Sequence, residues 1–171
     1  MGSLVKLLLS FLTTILASLR GVKEDSGTQP AEKVVSPVTE RPKKGFKPSK
    51  RTMHNLEGVH PDLVKVILHG MSISYVDFTV TEGLRSKERQ EALVKDGKSQ
   101  TMNSRHLTGH AADIICYDEE GNGTWDMSYY RRAADAILKA GNELNVNVEW
   151  GGNWESLVDG PHFQLSRKHY P

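Results

Sequence analysis

The chain has 171 residues, room for one ordinary domain and a tail but not for two full domains. Its 37% hydrophobic and 25% charged residues suit a soluble globular protein, and a net charge of +1 gives no basis for nucleic acid as a partner. The single Cys116 excludes an internal disulfide framework and any cysteine-rich zinc finger; in the apolar run "DIICY" it reads as a buried, inert thiol.

The first segment, "MGSLVKLLLSFLTTILASLRG", is hydrophobic. The 13 uncharged residues between Lys6 and Arg20 would span about 20 Å as a helix, short of the roughly 30 Å hydrocarbon core. Residues 1–23 are therefore expected to be an export signal or membrane tether, with membrane contact through residues 4–19. Residues 24–51 hold Pro30, Pro37, Pro42 and Pro48 and few large apolar side chains, which predicts a disordered, partly basic linker. The packed domain is expected over residues 52–171, beginning near His54.

Within it, Pro61 at a first helical position precedes Leu63, Val64, Ile67 and Leu68 at helical spacing. "YVDFTVT" alternates Val76, Phe78 and Val80, the pattern of a half-buried strand. Ser86 can cap a helix through "KERQEALVKD" that stops at Gly97. "AADIICY" reads as a strand and "DEEGNGTWD" as a polar loop. A long helix is expected from Ser128 through "YYRRAADAILKAGNEL", and "VNVEW" and "HFQLS" as closing strands. Helices and strands do not alternate regularly, so the expected class is α+β, helices packed on a small antiparallel sheet.

Chemistry concentrates in "SRHLTGHAAD", residues 104–113. His106 and His110 are spaced i, i+4, like helical zinc ligands, but Leu107 stands where a catalytic Glu would be, and Thr108 and Gly109 are poor helix-interior residues. The other pairing is His106 with Asp113, where the glycine permits a sharp turn and the chain re-enters as a strand. A catalytic zinc takes three N or O ligands and keeps one position open. Of the remaining histidines only His162 sits in a suggestive setting, "DGPHFQL", a turn feeding a strand with Asp159 three residues earlier. "DEEGNG" resembles the start of a calcium loop at Asp118, Asn122 and Gly123, but its twelfth position is Tyr129 rather than Glu, which rejects calcium. Trp125, Trp150 and Trp154 read first as core residues.

Ser104, His106, Gly109, Ala111 and Asp113 match S-x-H-x-x-G-x-A-x-D, and here the sequence resembles the VanY-like zinc D,D-carboxypeptidases and L-alanyl-D-glutamate peptidases. Asp159 and His162 match that family's acid-x-x-His motif, and Arg85 in "TEGLRSKERQ" its arginine after the first strand. The resemblance covers about residues 53–166 and is strongest to the phage endolysins; the hydrophobic N-terminal segment is not part of it. It implies Zn²⁺ held by His106, Asp113 and His162 on the sheet of a Hedgehog/D,D-peptidase-like fold. It further implies Asp159 as general base, where the family more often has Glu, and Arg85 as partner of the oxyanion or of a substrate carboxylate. Ser104 would bond substrate or orient the ligand loop, and Trp154, beside the "GG" turn, would touch substrate. The implied activity is cleavage of the L-Ala–D-Glu bond in the peptidoglycan stem peptide, as in phage lysis. The alternatives are a D-Ala-D-Ala carboxypeptidase and a non-catalytic, zinc-stabilised wall-binding module. The expected setting is a monomer in the periplasm or extracellular cell wall, tethered to the inner membrane by its N-terminal segment.

Overall fold

The computed structural model describes residues 45–171. The signal or tether expected over residues 1–23, its membrane contact through residues 4–19, and the linker up to residue 44 lie outside the described residues. Among the described residues no helix is long and apolar enough to cross a membrane.

Packing begins before His54. Gly45 and Phe46 donate backbone hydrogen bonds to Ser74 and Met71 at 2.8 and 3.0 Å. Ser49 then caps a short helix, α1 (Lys50–Asn55), by accepting from the Thr52 amide. Residues 45–51 thus belong to the domain. Their basic, proline-containing composition hid a helix whose anchoring side chain, Thr52, is small and fully buried.

Helix α2 (Pro61–Ile73) starts with Pro61 in its first turn and buries Leu63, Val66, Ile67 and Met71. Strand β1 (Phe78–Glu82) follows, then helix α3 (Lys87–Lys95), capped by Ser86 as expected. Strands β2 (Ala111–Tyr117) and β3 (Gly123–Thr124) form a hairpin, so the polar loop "DEEGNGTWD" includes a short strand. Helix α4 (Met127–Glu143) is capped by Asp126, which accepts from the Ser128 amide; the helix therefore starts one residue before the expected Ser128. Strands β4 (Val148–Trp150) and β5 (His162–Leu165) close the chain.

The sheet order is β1-β2-β5-β4, with β3 also on β2, and every pairing is antiparallel. Successive strand residues face opposite sides, and the sheet uses this to separate stability from chemistry. Ala112, Ile114 and Cys116 of β2, with Phe163 and Leu165 of β5, join the core made with Leu63, Ile67, Tyr130 and Ile137 of α2 and α4. The alternate residues Asp113, His162 and Gln164 occupy the other face. Helices α2 and α4 approach so closely at Gly70 that an added Cβ would lie 2.9 Å from the Ile137 Cα. The result is the α+β architecture expected from sequence.

Candidate metal centre

Three side chains from separate parts of the chain converge on the open face of the sheet. His106 rides on a 3₁₀ turn, Arg105–Thr108, whose first amides are capped by Ser104; the Ser104 hydroxyl accepts from the His106 amide at 3.4 Å. Gly109 ends the turn with φ 69°, a conformation that favours glycine, and the chain then enters β2. Asp113 of β2 and His162 of β5 are direct cross-strand partners. A β-bulge between Val80 and Glu82 adjusts β1 beside them, and the Thr81 hydroxyl donates to the Asp113 carbonyl at 3.2 Å.

His106 Nε2, His162 Nδ1 and Asp113 Oδ1 form a near-equilateral triangle with edges of 3.3, 3.3 and 3.1 Å. A tetrahedral zinc site with bonds of about 2.0–2.1 Å has ligand-to-ligand edges of about 3.3–3.4 Å, so the triangle fits one face of such a site. Among the described residues this is the one group of three His, Cys, Asp or Glu side chains that could hold a metal ion.

Each imidazole is oriented by the nitrogen that points away from the triangle. His106 Nδ1–H donates to the Gly83 carbonyl at 2.8 Å. His162 Nε2–H donates to Gln164 Oε1 at 3.2 Å, and Gln164 Nε2–H donates to Glu149 Oε2 at 2.9 Å. Because a carboxylate only accepts, Glu149 fixes which end of the Gln164 amide faces His162. With a metal bound, both rings would turn a lone pair toward the centre, the arrangement seen in metal sites with supporting hydrogen bonds. With a proton there instead, the inner nitrogen donates to the Asp113 carboxylate.

The electrostatics agree. Burial opposes the charge of Asp113, yet the imidazoles hydrogen-bonded to it outweigh burial and hold its carboxyl well below the usual range. Burial likewise pulls the His162 imidazole down, and the Asp113 carboxylate overcomes this and raises it. The triangle favours positive charge at its centre, which a divalent cation supplies.

Arg85 stands behind Asp113. Its buried guanidinium pairs with Glu82, donates to Gln90 Oε1 at 2.7 Å and reaches Asp113 Oδ2 at 3.4 Å, leaving Oδ1 in the triangle. Sequence reasoning passed over Gln90, Gln164 and Glu149. The signal for Gln164 was its i+2 spacing from His162 on a strand, which puts both side chains on one face.

A cleft of about 610 Å³ opens over the triangle, lined by His106, Asp113, His162, Arg85, Asp159 and Trp154 among others. Ser104 also reaches it. Asp159 is not in the ligand group; its half-buried carboxyl is raised by burial first and by the charge of Asp113 second. Trp154 lies with its ring centre 5.1 Å from that of His162. His110 turns away: its Nδ1 lies 2.8 Å from the Thr108 hydroxyl, and its ring packs 5.1 Å from His60. Of the tryptophans read as core, only Trp150 is buried, stacked on Phe163, whereas Trp125 is 74% exposed.

Fold and donor set together define an α+β protein with two histidines and one aspartate, a group that could hold a metal ion, on the open face of a small antiparallel sheet. The chain belongs to the phage L-alanyl-D-glutamate peptidase family, which matches residues 44–166. It is 37% identical over 97 residues to the L-alanyl-D-glutamate peptidase of Listeria phage A118, covering 56% of this chain and 32% of that protein. The L-alanyl-D-glutamate peptidase of Escherichia phage T5 is 30% identical over 129 residues, 73% of this chain and 93% of the relative. The chain thus spans about a third of the Listeria relative and nearly all of the T5 one. Among solved structures, the Serratia marcescens L-Ala D-Glu endopeptidase ChiX superposes with a TM-score of 0.70 at 48% identity, covering 74% of this chain and 94% of that one.

Proposed function

We propose that this chain is a zinc peptidase that hydrolyses the L-Ala–D-Glu bond of the peptidoglycan stem peptide. The carrying observation is the triangle of His106, Asp113 and His162 beside Asp159, a carboxylate outside the ligand set in the same cleft. Two imidazoles and one carboxylate are a zinc donor set, and zinc bound there acidifies water towards a pKa of about 7 and polarises a peptide carbonyl.

The remaining chemistry belongs to the chain's own groups. Asp159 takes a proton from the attacking water and passes it to the departing D-Glu nitrogen; the C–N bond breaks, hydroxyl goes to the alanyl carbonyl carbon and hydrogen to the amine. Its raised pKa suits a group that must hold that proton between the two transfers. Arg85 keeps Asp113 aimed at the metal, and its face toward the cleft supplies positive charge as the carbonyl oxygen becomes an oxyanion. Ser104 positions His106, and Trp154 forms a wall of the cleft against which substrate lies. In this reading the enzyme works in the periplasm or extracellular cell wall as a monomer, tethered to the inner membrane by its N-terminal segment.

Digestion of purified peptidoglycan, with fragments weighed by mass spectrometry, tests this. New amino termini on D-Glu are expected. Release of D-Ala alone, abolished when the peptide carboxylate is blocked, would mean a carboxypeptidase. Wall binding without any fragment would mean a binding module.

A further inference from the structure

Trp125 is the most exposed large apolar side chain among the described residues. Leaving most of an indole in water forgoes a large hydrophobic gain, yet this one is not loose. It sits between β3 and the capping Asp126, whose amide donates to the Thr124 hydroxyl at 3.1 Å and whose carboxylate accepts from Ser128 at 2.8 Å. Its ring stacks on Tyr130 at 6.5 Å with 24° between planes, and the buried Tyr130 donates its hydroxyl proton to the Thr124 carbonyl at 3.1 Å. The neighbouring backbone is hydrogen-bonded on both sides, and the indole is presented to solvent as an exposed plate.

That plate borders a second depression of about 390 Å³, lined also by Arg51, Ile115 and Pro161, and by Asp113 and Asp159. The same two carboxylates line the 610 Å³ cleft. Two recesses therefore meet at the reacting groups, as an endopeptidase needs, since it must seat substrate on both sides of the bond. The larger recess carries Lys98, Arg167 and Gln164, groups suited to an anionic peptide. On the other side of an L-Ala–D-Glu bond only one alanine and a lactyl ether precede a hexosamine ring. One residue spans about 3.5 Å, so the sugar falls just beyond the carboxylates. Pyranose C–H bonds carry partial positive charge and meet the negative face of an indole favourably.

We propose that Trp125 and Arg51, which line the same depression, form a saccharide subsite that binds the N-acetylmuramoyl ring bearing the stem peptide. This rests on the peptidase reading for its location. The test compares wild type, Trp125→Ala and Trp125→Phe, all as full chains, on a disaccharide–tetrapeptide and on the sugar-free tetrapeptide. The ratio of kcat/KM for the two substrates is expected to fall about threefold to tenfold in Trp125→Ala and to recover in Trp125→Phe. An unchanged ratio overturns the subsite. Independently, wild type is titrated with the peptide-free N-acetylglucosaminyl–N-acetylmuramic acid disaccharide while the Trp125 indole N–H resonance is followed by NMR. Movement of that resonance is expected. A still resonance at millimolar disaccharide overturns the subsite whatever the kinetics, whereas movement in a protein that cuts neither substrate would fell the peptidase reading and leave the sugar site standing.

Discussion

Gly151→Ala is the sharpest test of how Asp159 is placed. Gly151 follows β4, and its carbonyl accepts from the Asp159 amide at 3.0 Å, tying two loops together. A Cβ at this position would lie 2.6 Å from the Asp159 carbonyl oxygen and 3.2 Å from the His162 Cβ, whereas ordinary contacts begin near 3.4 Å. The Asp159 backbone must therefore retreat by about 0.8 Å and His162 by about 0.2 Å. Residue 151 does not have positive φ, so alanine meets no backbone strain and the effect isolates this contact. Overpacking of this kind costs about 1–3 kcal/mol, a Tm loss of a few to about 10 °C. Displacing a catalytic group by nearly an ångström costs up to about 100-fold in rate, so kcat/KM should drop about 10- to 100-fold. Because His162 moves far less, zinc measured by plasma mass spectrometry should remain near one per chain. Activity within twofold of wild type would show that this contact does not set the position of Asp159; loss of zinc would place the damage at the ligand instead.

Gln164→Leu removes the acceptor that fixes the His162 ring. Zinc affinity, measured by competition with a chromophoric chelator, should weaken about 10- to 100-fold, and an unaltered affinity would deny the chain from His162 to Glu149 any role. Asp159→Asn should abolish hydrolysis while raising the stability of the zinc-free protein. A carboxyl whose folded pKa is raised binds its proton more tightly when folded. It therefore costs stability as pH climbs from the unfolded value of about 3.8 through the folded one, and the full cost persists above. The gain in Tm over wild type should accordingly be present at pH 7 and vanish near pH 3; a gain that is equal at both would mean another cause. Burial pushes the Cys116 thiol up to about 12, so iodoacetamide at pH 8 should leave it unlabelled in the native protein and label it fully in denaturant. Rapid native labelling would contradict its place in the core.

Much of the site was legible because its motifs are local. The turn from His106 through Gly109 into β2, and the turn before His162, are each written in a few consecutive residues. What brings them together is not local: Asp113 faces His162 only because β2 and β5 pair in one register, and a slip by one residue would turn either side chain into the core. The supporting groups were hidden for the same reason, since Gly83, Gln90 and Glu149 acquire meaning only as partners across the fold. The start of α4 was placed one residue late, at Ser128 rather than Met127, because Asp126 shows itself as the cap only once its carboxylate accepts from the Ser128 amide. Residues 45–51 read as linker because polar composition conceals a helix anchored by one hydroxyl. Trp125 resisted for another reason: tryptophan is usually largely buried, whereas this indole is 74% exposed.

Asp113 is where the constraints of this fold meet. Its backbone is held by β5 on one side and by the bulged edge of β1 on the other. One carboxylate oxygen is engaged by the Arg85 guanidinium, itself kept in place by Glu82 and Gln90, and the other faces two imidazoles whose outward nitrogens are already bonded. An aspartate buried without such partners would protonate and lose its value as a ligand. Here the surrounding donors hold it ionised, so the triangle is assembled by the protein's own hydrogen bonds and charges. A metal arriving at it has little to rearrange, and that economy of motion is what a rigid antiparallel sheet offers over a flexible loop as the bed of a hydrolytic site.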